Sequence, residues 1–307
     1  MILIMNWALA AILTLLAAGL VACGSESDSD RPQVVATTGI VADIATQVAG
    51  DDADVVRLVP EGASPHDFAL SAQDRQTLEE ADLIVYSGAG LEAGIPIEES
   101  EAAKWALSDN VGELLPFEEA GAHEEEHADD GEGVDPHVWM DPARTAAALD
   151  SLAAALAEID PANADAYEGR ASAYARELRG VDAELRDALA ALAPDERELV
   201  TSHDALGYFA DRYGFEVVAT PFPASGPEAE ASPAQLTEVI DAIEERGVPA
   251  VFAEHEDDPE VLRQVADETG VVVEADLLVE SPGDAGSYLE MLRRDGELIA
   301  RALAGGD

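Results

Sequence analysis

Apolar positions along the chain alternate between two periods. Gln33-Val34-Val35-Ala36 is a short apolar run that predicts a strand, and Ile40 to Ala49 carries apolar residues at helical spacing until Gly50 closes it. Asp54 to Val59 predicts a second strand, ended by the turn Pro60-Glu61-Gly62-Ala63-Ser64-Pro65. Ser71 to Ala81 reads as a helix, and Leu83-Ile84-Val85-Tyr86 as a buried strand followed by Gly88 and Gly90. From Pro142 the chain is Ala-rich and helical, and Pro161 opens a second long helix expected over Ala162 to Leu192. At 1.5 Å per residue that helix spans roughly 45 Å, more than one small domain needs.

After Pro194 the alternation resumes. Strands are expected at Leu199 to Thr201, Glu216 to Val218, Ala250 to Phe252 and Val271 to Val273. Helices are expected at Ala205 to Tyr213, Pro233 to Arg246, Pro259 to Thr269 and Tyr288 to Leu303. Strand–helix alternation at this spacing predicts α/β architecture with parallel sheets. The fold class expected is two α/β lobes, residues 34–161 and 194–307, joined by one long helix over residues 162–193.

Two segments fall outside the pattern. Met1 to Ala22 has no charged residue, and its apolar run ends in Leu20-Val21-Ala22-Cys23-Gly24. That is a lipobox: residues 1–22 are expected to be a signal peptide cut before Cys23, whose thiol is lipidated. No Lys or Arg precedes the run, unlike the usual signal. Residues 23–33 then form a Ser/Asp-rich tether, which places the mature chain outside the cytoplasmic membrane, anchored on its outer face. Residues 118–133 hold almost only Glu, Asp, His, Gly and Ala and read as a solvated acidic loop.

Composition narrows the function. The chain has 307 residues, 65 Asp+Glu against 16 Lys+Arg, and a formal net charge of −49. A polyanion such as nucleic acid is repelled by that surface, and cations are its natural ligands. Hydrophobic residues at 48% are enough for packed cores despite the charge. The single cysteine leaves no intramolecular disulfide.

The candidate chemistry lies in the histidines, of which there are six. His66, His203 and His255 follow predicted strands, His137 lies in Asp135-Pro136-His137-Val138-Trp139-Met140-Asp141-Pro142 and is read with them as a strand-end residue, and Asp276 follows the last strand. In open parallel sheets ligands bind beyond the carboxyl ends of the strands. Singly, each histidine reads as an ordinary hydrogen-bonded residue; their common position at strand ends points to a metal site between the lobes. Three imidazoles and a carboxylate fill a tetrahedron, which holds a metal without leaving a place for a reactive water.

The segments Ala63-Ser64-Pro65-His66-Asp67-Phe68, Asp135-Pro136-His137-Val138-Trp139 and Ser202-His203-Asp204-Ala205, with Tyr208-Phe209 and Tyr213-Gly214, resemble those of the zinc/manganese substrate-binding proteins of ABC importers, the ZnuA/TroA-like family. The resemblance runs from about Val34 to Leu303. It implies two lobes about a rigid helix, one metal in the cleft, and ligand roles for His66, His137, His203 and Asp276. It also implies a non-enzymatic protein, monomeric, that hands Zn²⁺, or alternatively Mn²⁺, to a permease driven by an ATPase. His203 stands where manganese members often have Glu, and imidazole favours zinc. Asp276 is followed by Leu277 where the family often has Pro, and His255 is either a rim residue or a substitute ligand.

Three other readings are open to the sequence. His123-Glu124-Glu125-Glu126-His127 matches the HExxH of zinc proteases, but its flanks have no apolar face to bury such a helix. His123 and His127 are left as a solvated loop or an auxiliary metal collector. A zinc hydrolase would need an open coordination position and a base, for which Glu254 and Asp204 are available. A cell-surface adhesin would need an exposed apolar or aromatic patch, and aromatics are only 5% of the chain.

Overall fold

The computed structural model describes residues 31–116, 133–222, 231–255 and 259–305. The signal peptide, Cys23, most of the tether and the His123–His127 segment lie outside the described residues.

The first sheet contains β1 (Gln33–Ala36), β2 (Asp54–Arg57), β3 (Leu83–Tyr86) and β4 (Ala103–Ala106) in the order β2-β1-β3-β4. All three pairings are parallel, with Val34 opposite both Val55 and Leu83. Helix α1 (Gly39–Ala49) is capped by Thr38, whose side chain accepts from Val41 N–H. Helix α2 (Ala72–Glu79) begins with a reciprocal Ser71–Asp74 capping box. Strand β4 is not predicted by the sequence pattern, because Ala-Lys-Trp-Ala has no run of branched residues. It forms an edge strand through Trp105, whose indole N–H donates to Ser151 Oγ at 2.9 Å.

Two helices follow, α3 (Pro142–Ile159) and α4 (Ala164–Leu189). Helix α4 is shorter than its predicted span because Pro161–Asn163 forms a separate 3-10 turn. Its 26 residues extend about 39 Å. Its buried stripe, which includes Tyr167, Ala171, Tyr174, Leu178, Val181 and Leu185, follows helical spacing. Asp182 lies on the same stripe and accepts from Arg212 Nη2 at 2.7 Å and from the Tyr213 hydroxyl at 3.3 Å.

The remaining strands pair in parallel as β5 (Glu198–Val200) with β6 (Glu216–Ala219), and β7 (Ala250–Glu254) with β8 (Val272–Leu277). A parallel bridge from Thr201 to Phe252 joins the two pairs. Helices α5 (Gly207–Tyr213), α6 (Pro233–Arg246), α7 (Glu260–Thr269) and α8 (Tyr288–Leu303) are the remaining α-helices among the described residues. The bounds of α6 and α8 are those the sequence predicts, since Ser232 and Ser287 cap them with local hydrogen bonds.

Alternation along the strands explains the core. Val34, Ala36, Leu83 and Val85 point into one large apolar cluster, whereas Val35 and Ile84 point into a small one on the opposite face. In the second half Leu199, Ala250 and Phe252 join the same large cluster, and Val200, Val251 and Ala253 join another small one. Both sheets therefore share one core, which α3, α4 and α8 fill. At Gly296 an added Cβ would lie 2.1 Å from Leu185 Cδ2, so glycine sets how closely α8 crosses α4.

Candidate metal centre

Four side chains converge: His66, His137, His203 and Glu280, each offering a donor atom within 4.8 Å of the others. His66, His203 and Glu280 lie beyond β2, β5 and β8, whereas His137 is not at a strand end and instead precedes the 3-10 turn Val138–Met140. His137 and His203 are fully buried, and Glu280 is nearly so. Nε2 of His203 lies 3.4 Å from Nε2 of His137, and Nε2 of His66 lies 3.1 Å from Glu280 Oε1.

Each side chain reaches the centre by a different local device. His66 leaves β2 through the turn of residues 60–65, and its backbone N–H donates to Ser64 Oγ at 3.3 Å. His137 is held by Asp135, whose Oδ1 accepts from the His137 backbone N–H at 2.8 Å and faces Nδ1 of the ring at 2.8 Å. Asp135 is in turn packed against Gly207, where an added Cβ would lie 2.5 Å from Asp135 Oδ2. His203 follows β5, and its carbonyl accepts from Thr201 Oγ1 at 2.7 Å. Nδ1 of His203 is in direct contact with Glu254 Oε1. Glu280 sits on the loop after β8, and that loop is pinned at several neighbouring residues. Leu278 N–H donates to Asp295 Oδ1 at 3.0 Å, and Val279 O accepts from the Trp139 indole at 2.8 Å. Ser281 Oγ donates to Glu61 Oε1 at 2.8 Å.

Residues 34–302 match the family model described as zinc-uptake complex component A, periplasmic. The chain belongs to this family. It is 33% identical over 277 residues to the iron-binding protein YfeA of Yersinia pestis, covering 88% of this chain and 85% of the relative. It is 26% identical over 304 residues to the manganese-binding lipoprotein MntA of Halalkalibacterium halodurans, covering 95% and 96%. Among solved structures, the periplasmic zinc-binding protein TroA of Treponema pallidum superposes with a TM-score of 0.79 at 29% identity, covering 89% of this chain and 99% of that one.

The fourth side chain of the cluster is not the one expected from the sequence. Asp276 is not at the centre. Strand β8 continues to Leu277, so Asp276 still follows the strand's alternation, and its side chain is 65% exposed on the edge strand. Its neighbour is His255 Nδ1, at 3.6 Å, and His255 is itself 44% exposed and outside the convergent four. The chain turns inward only after Leu277, where buried Leu278 and Val279 carry Glu280 to the histidines. A signal for Glu280 is present in the sequence: one carboxylate closes the apolar run Leu277-Leu278-Val279 immediately before the Ser281-Pro282-Gly283 turn. Sequence reasoning also misses Asp135 and Glu254 as the partners that hold two of the rings. For Asp135 the signal is its place two residues before His137; for Glu254 nothing local signals its partner.

Charge within the centre suits a cation. Burial holds the His137 imidazole well below its ordinary range, and the neighbouring His203 and His66 add to this. Burial acts to raise Glu280, but the His66 contact and the other two imidazoles outweigh it and leave its carboxyl below the ordinary value. The Asp135 carboxyl is pushed up to about 7 by burial. A neutral His137 and an ionised Glu280 are in the protonation states that metal coordination requires.

Proposed function

We propose that this protein captures a divalent transition-metal ion, Zn²⁺ foremost, outside the cytoplasm and delivers it to the permease of an ABC importer. The ion is cargo, held by His66, His137, His203 and Glu280. In this reading residues 34–161 and 194–307 act as two lobes about α4, and the protein is a monomer tethered by lipid on Cys23.

One observation carries the reading. Nδ1 of His137 and Nδ1 of His203 each face a carboxylate, which makes Nδ1 the protonated nitrogen of both rings. Their Nε2 lone pairs then face each other at 3.4 Å inside a buried pocket. Two such lone pairs repel unless a cation lies between them, and Glu280 supplies the anionic charge beside it. Three imidazoles and one carboxylate suit zinc, with no coordination place left for a catalytic water. The family's transport role and the names of its zinc-, manganese- and iron-binding members support the same class of function.

The test is competitive titration of metal-stripped protein with Zn²⁺ and Mn²⁺ together, at high salt to screen the acidic surface. One tightly held zinc per chain, lost in His203→Ala, is the expected result. Preferential manganese retention moves the cargo to Mn²⁺ on the same ligands. Loose multiple binding, indifferent to His203→Ala, refutes the site.

A further inference from the structure

We infer that Glu254 is a positioning residue for His203, fixing that imidazole as an Nε2 donor and so biasing the centre towards metals that favour imidazole. The inference rests on the proposed metal-capture reading and extends it to a residue outside the four converging side chains.

Strand β7 is buried along its whole length, Ala250-Val251-Phe252-Ala253-Glu254. The first four are apolar, and a carboxylate at the end of such a strand needs a partner to offset the loss of its hydration. Glu254 is 3% exposed and is paired: its Oε1 contacts His203 Nδ1 and accepts from Ser202 Oγ at 3.3 Å. Ser202 Oγ also accepts from the Glu254 backbone N–H at 3.3 Å, and Ser202 N–H donates to Phe252 O at 2.9 Å. The carboxylate is thus tied to the same strand ends that present His203. The register of β7 against β8 shifts between Phe252 and Glu254, an irregularity of the kind that redirects a side chain at a sheet end. A carboxylate behind a ligating histidine fixes its tautomer and strengthens its donor nitrogen.

The experiment compares intact protein with the near-isosteric Glu254→Gln and with His203→Ala. Zinc and manganese affinities are measured by competition, and the histidine ring nitrogens of the zinc-free protein are observed by ¹⁵N NMR. Glu254→Gln is expected to lower zinc affinity roughly 10- to 100-fold, to lower manganese affinity less, and to shift His203 alone away from the pure Nδ1–H form. A folding defect would move all three rings, so a His203-specific shift separates positioning from general damage. If His203→Ala abolishes tight zinc binding while Glu254→Gln changes neither the metal ratio nor the His203 ring signals, the inference is wrong and the proposed function stands. If neither substitution affects binding, the proposed function fails and the inference with it.

Discussion

The indole N–H of Trp139 donates to the backbone carbonyl of Val279 at 2.8 Å, joining the turn that bears His137 to the loop that bears Glu280. The contact is fully buried and crosses from the first half of the chain to the second. Trp139→Phe keeps most of the apolar volume but leaves that carbonyl without its indole donor. A stability loss of about 1–3 kcal/mol is expected, as for a buried acceptor left unsatisfied. Metal affinity should fall as well, because the Glu280 loop loses one of its pins. Urea unfolding of the metal-free protein and zinc titration check the two effects separately.

Glu280 and Asp276 make opposite predictions. Glu280→Gln removes the anionic side chain from a buried centre and is expected to weaken zinc binding by at least about tenfold, in line with losing one of the four proposed ligands. Asp276→Asn alters an exposed edge-strand residue and is expected to leave affinity unchanged within about twofold, since exposed pairs contribute little. A large effect at Asp276 with none at Glu280 would return the fourth ligand to Asp276.

Gly207 is the first residue of α5, and a Cβ there would approach Asp135 Oδ2 to 2.5 Å. Gly207→Ala therefore has to displace the carboxylate that holds His137. Overpacking of this kind typically costs about 1–3 kcal/mol. The diagnostic result is weakened zinc binding that Asp135→Ala does not weaken further, because both changes act through the same ring. Additive losses in the double variant would show that Gly207 acts elsewhere.

The raised Asp135 carboxyl sets a pH dependence for the metal-free protein. Its folded value of about 7 lies above the ordinary 3.8, so the folded state binds the proton more tightly. The associated stability is fully present below the ordinary value and is lost as pH rises through about 7. Asp135→Asn does not titrate, so the stability of the variant relative to the native protein should improve between about pH 5 and pH 8. Across that interval the unfolded carboxyl is already ionised while the folded one loses its proton, so the native protein loses up to about 1.4 kcal/mol for each tenfold fall in proton concentration until the folded value is passed. His137, whose folded value is lowered, contributes the opposite slope below its ordinary range, and removing the Asp135 charge beside its ring lowers it further, which acts in the same direction as the loss of the Asp135 titration. Urea unfolding at the two pH values, with chelator present, measures the difference; a constant difference would contradict the assigned direction.

Most of the fold is legible in the sequence because it depends on local information. Helix bounds such as Pro233–Arg246 follow from a serine cap, a proline at the first position and a closing glycine, all within one segment. Strands such as Leu83–Tyr86 announce themselves as short apolar runs between polar turns. Strand β4 is not legible, since Ala103–Ala106 becomes a strand only by lying beside β3 and burying Trp105. The three histidines are readable as candidates because each belongs to a distinctive motif, although only His66 and His203 follow a strand and His137 precedes a 3-10 turn.

What the sequence by itself determined was the parallel α/β alternation, the long helix and the nomination of His66, His137 and His203, because caps, periodicity and motifs act over a few neighbouring residues. What the tertiary structure alone decided was which carboxylate meets them and which carboxylates stand behind them. Asp276 and Glu280 differ in whether the chain has left strand β8, and that depends on pins from Trp139, Asp295 and Glu61, all distant in sequence. Glu254 reaches His203 only because β5 and β7 end side by side. Such choices rest on long-range packing, so no single segment of the chain encodes them.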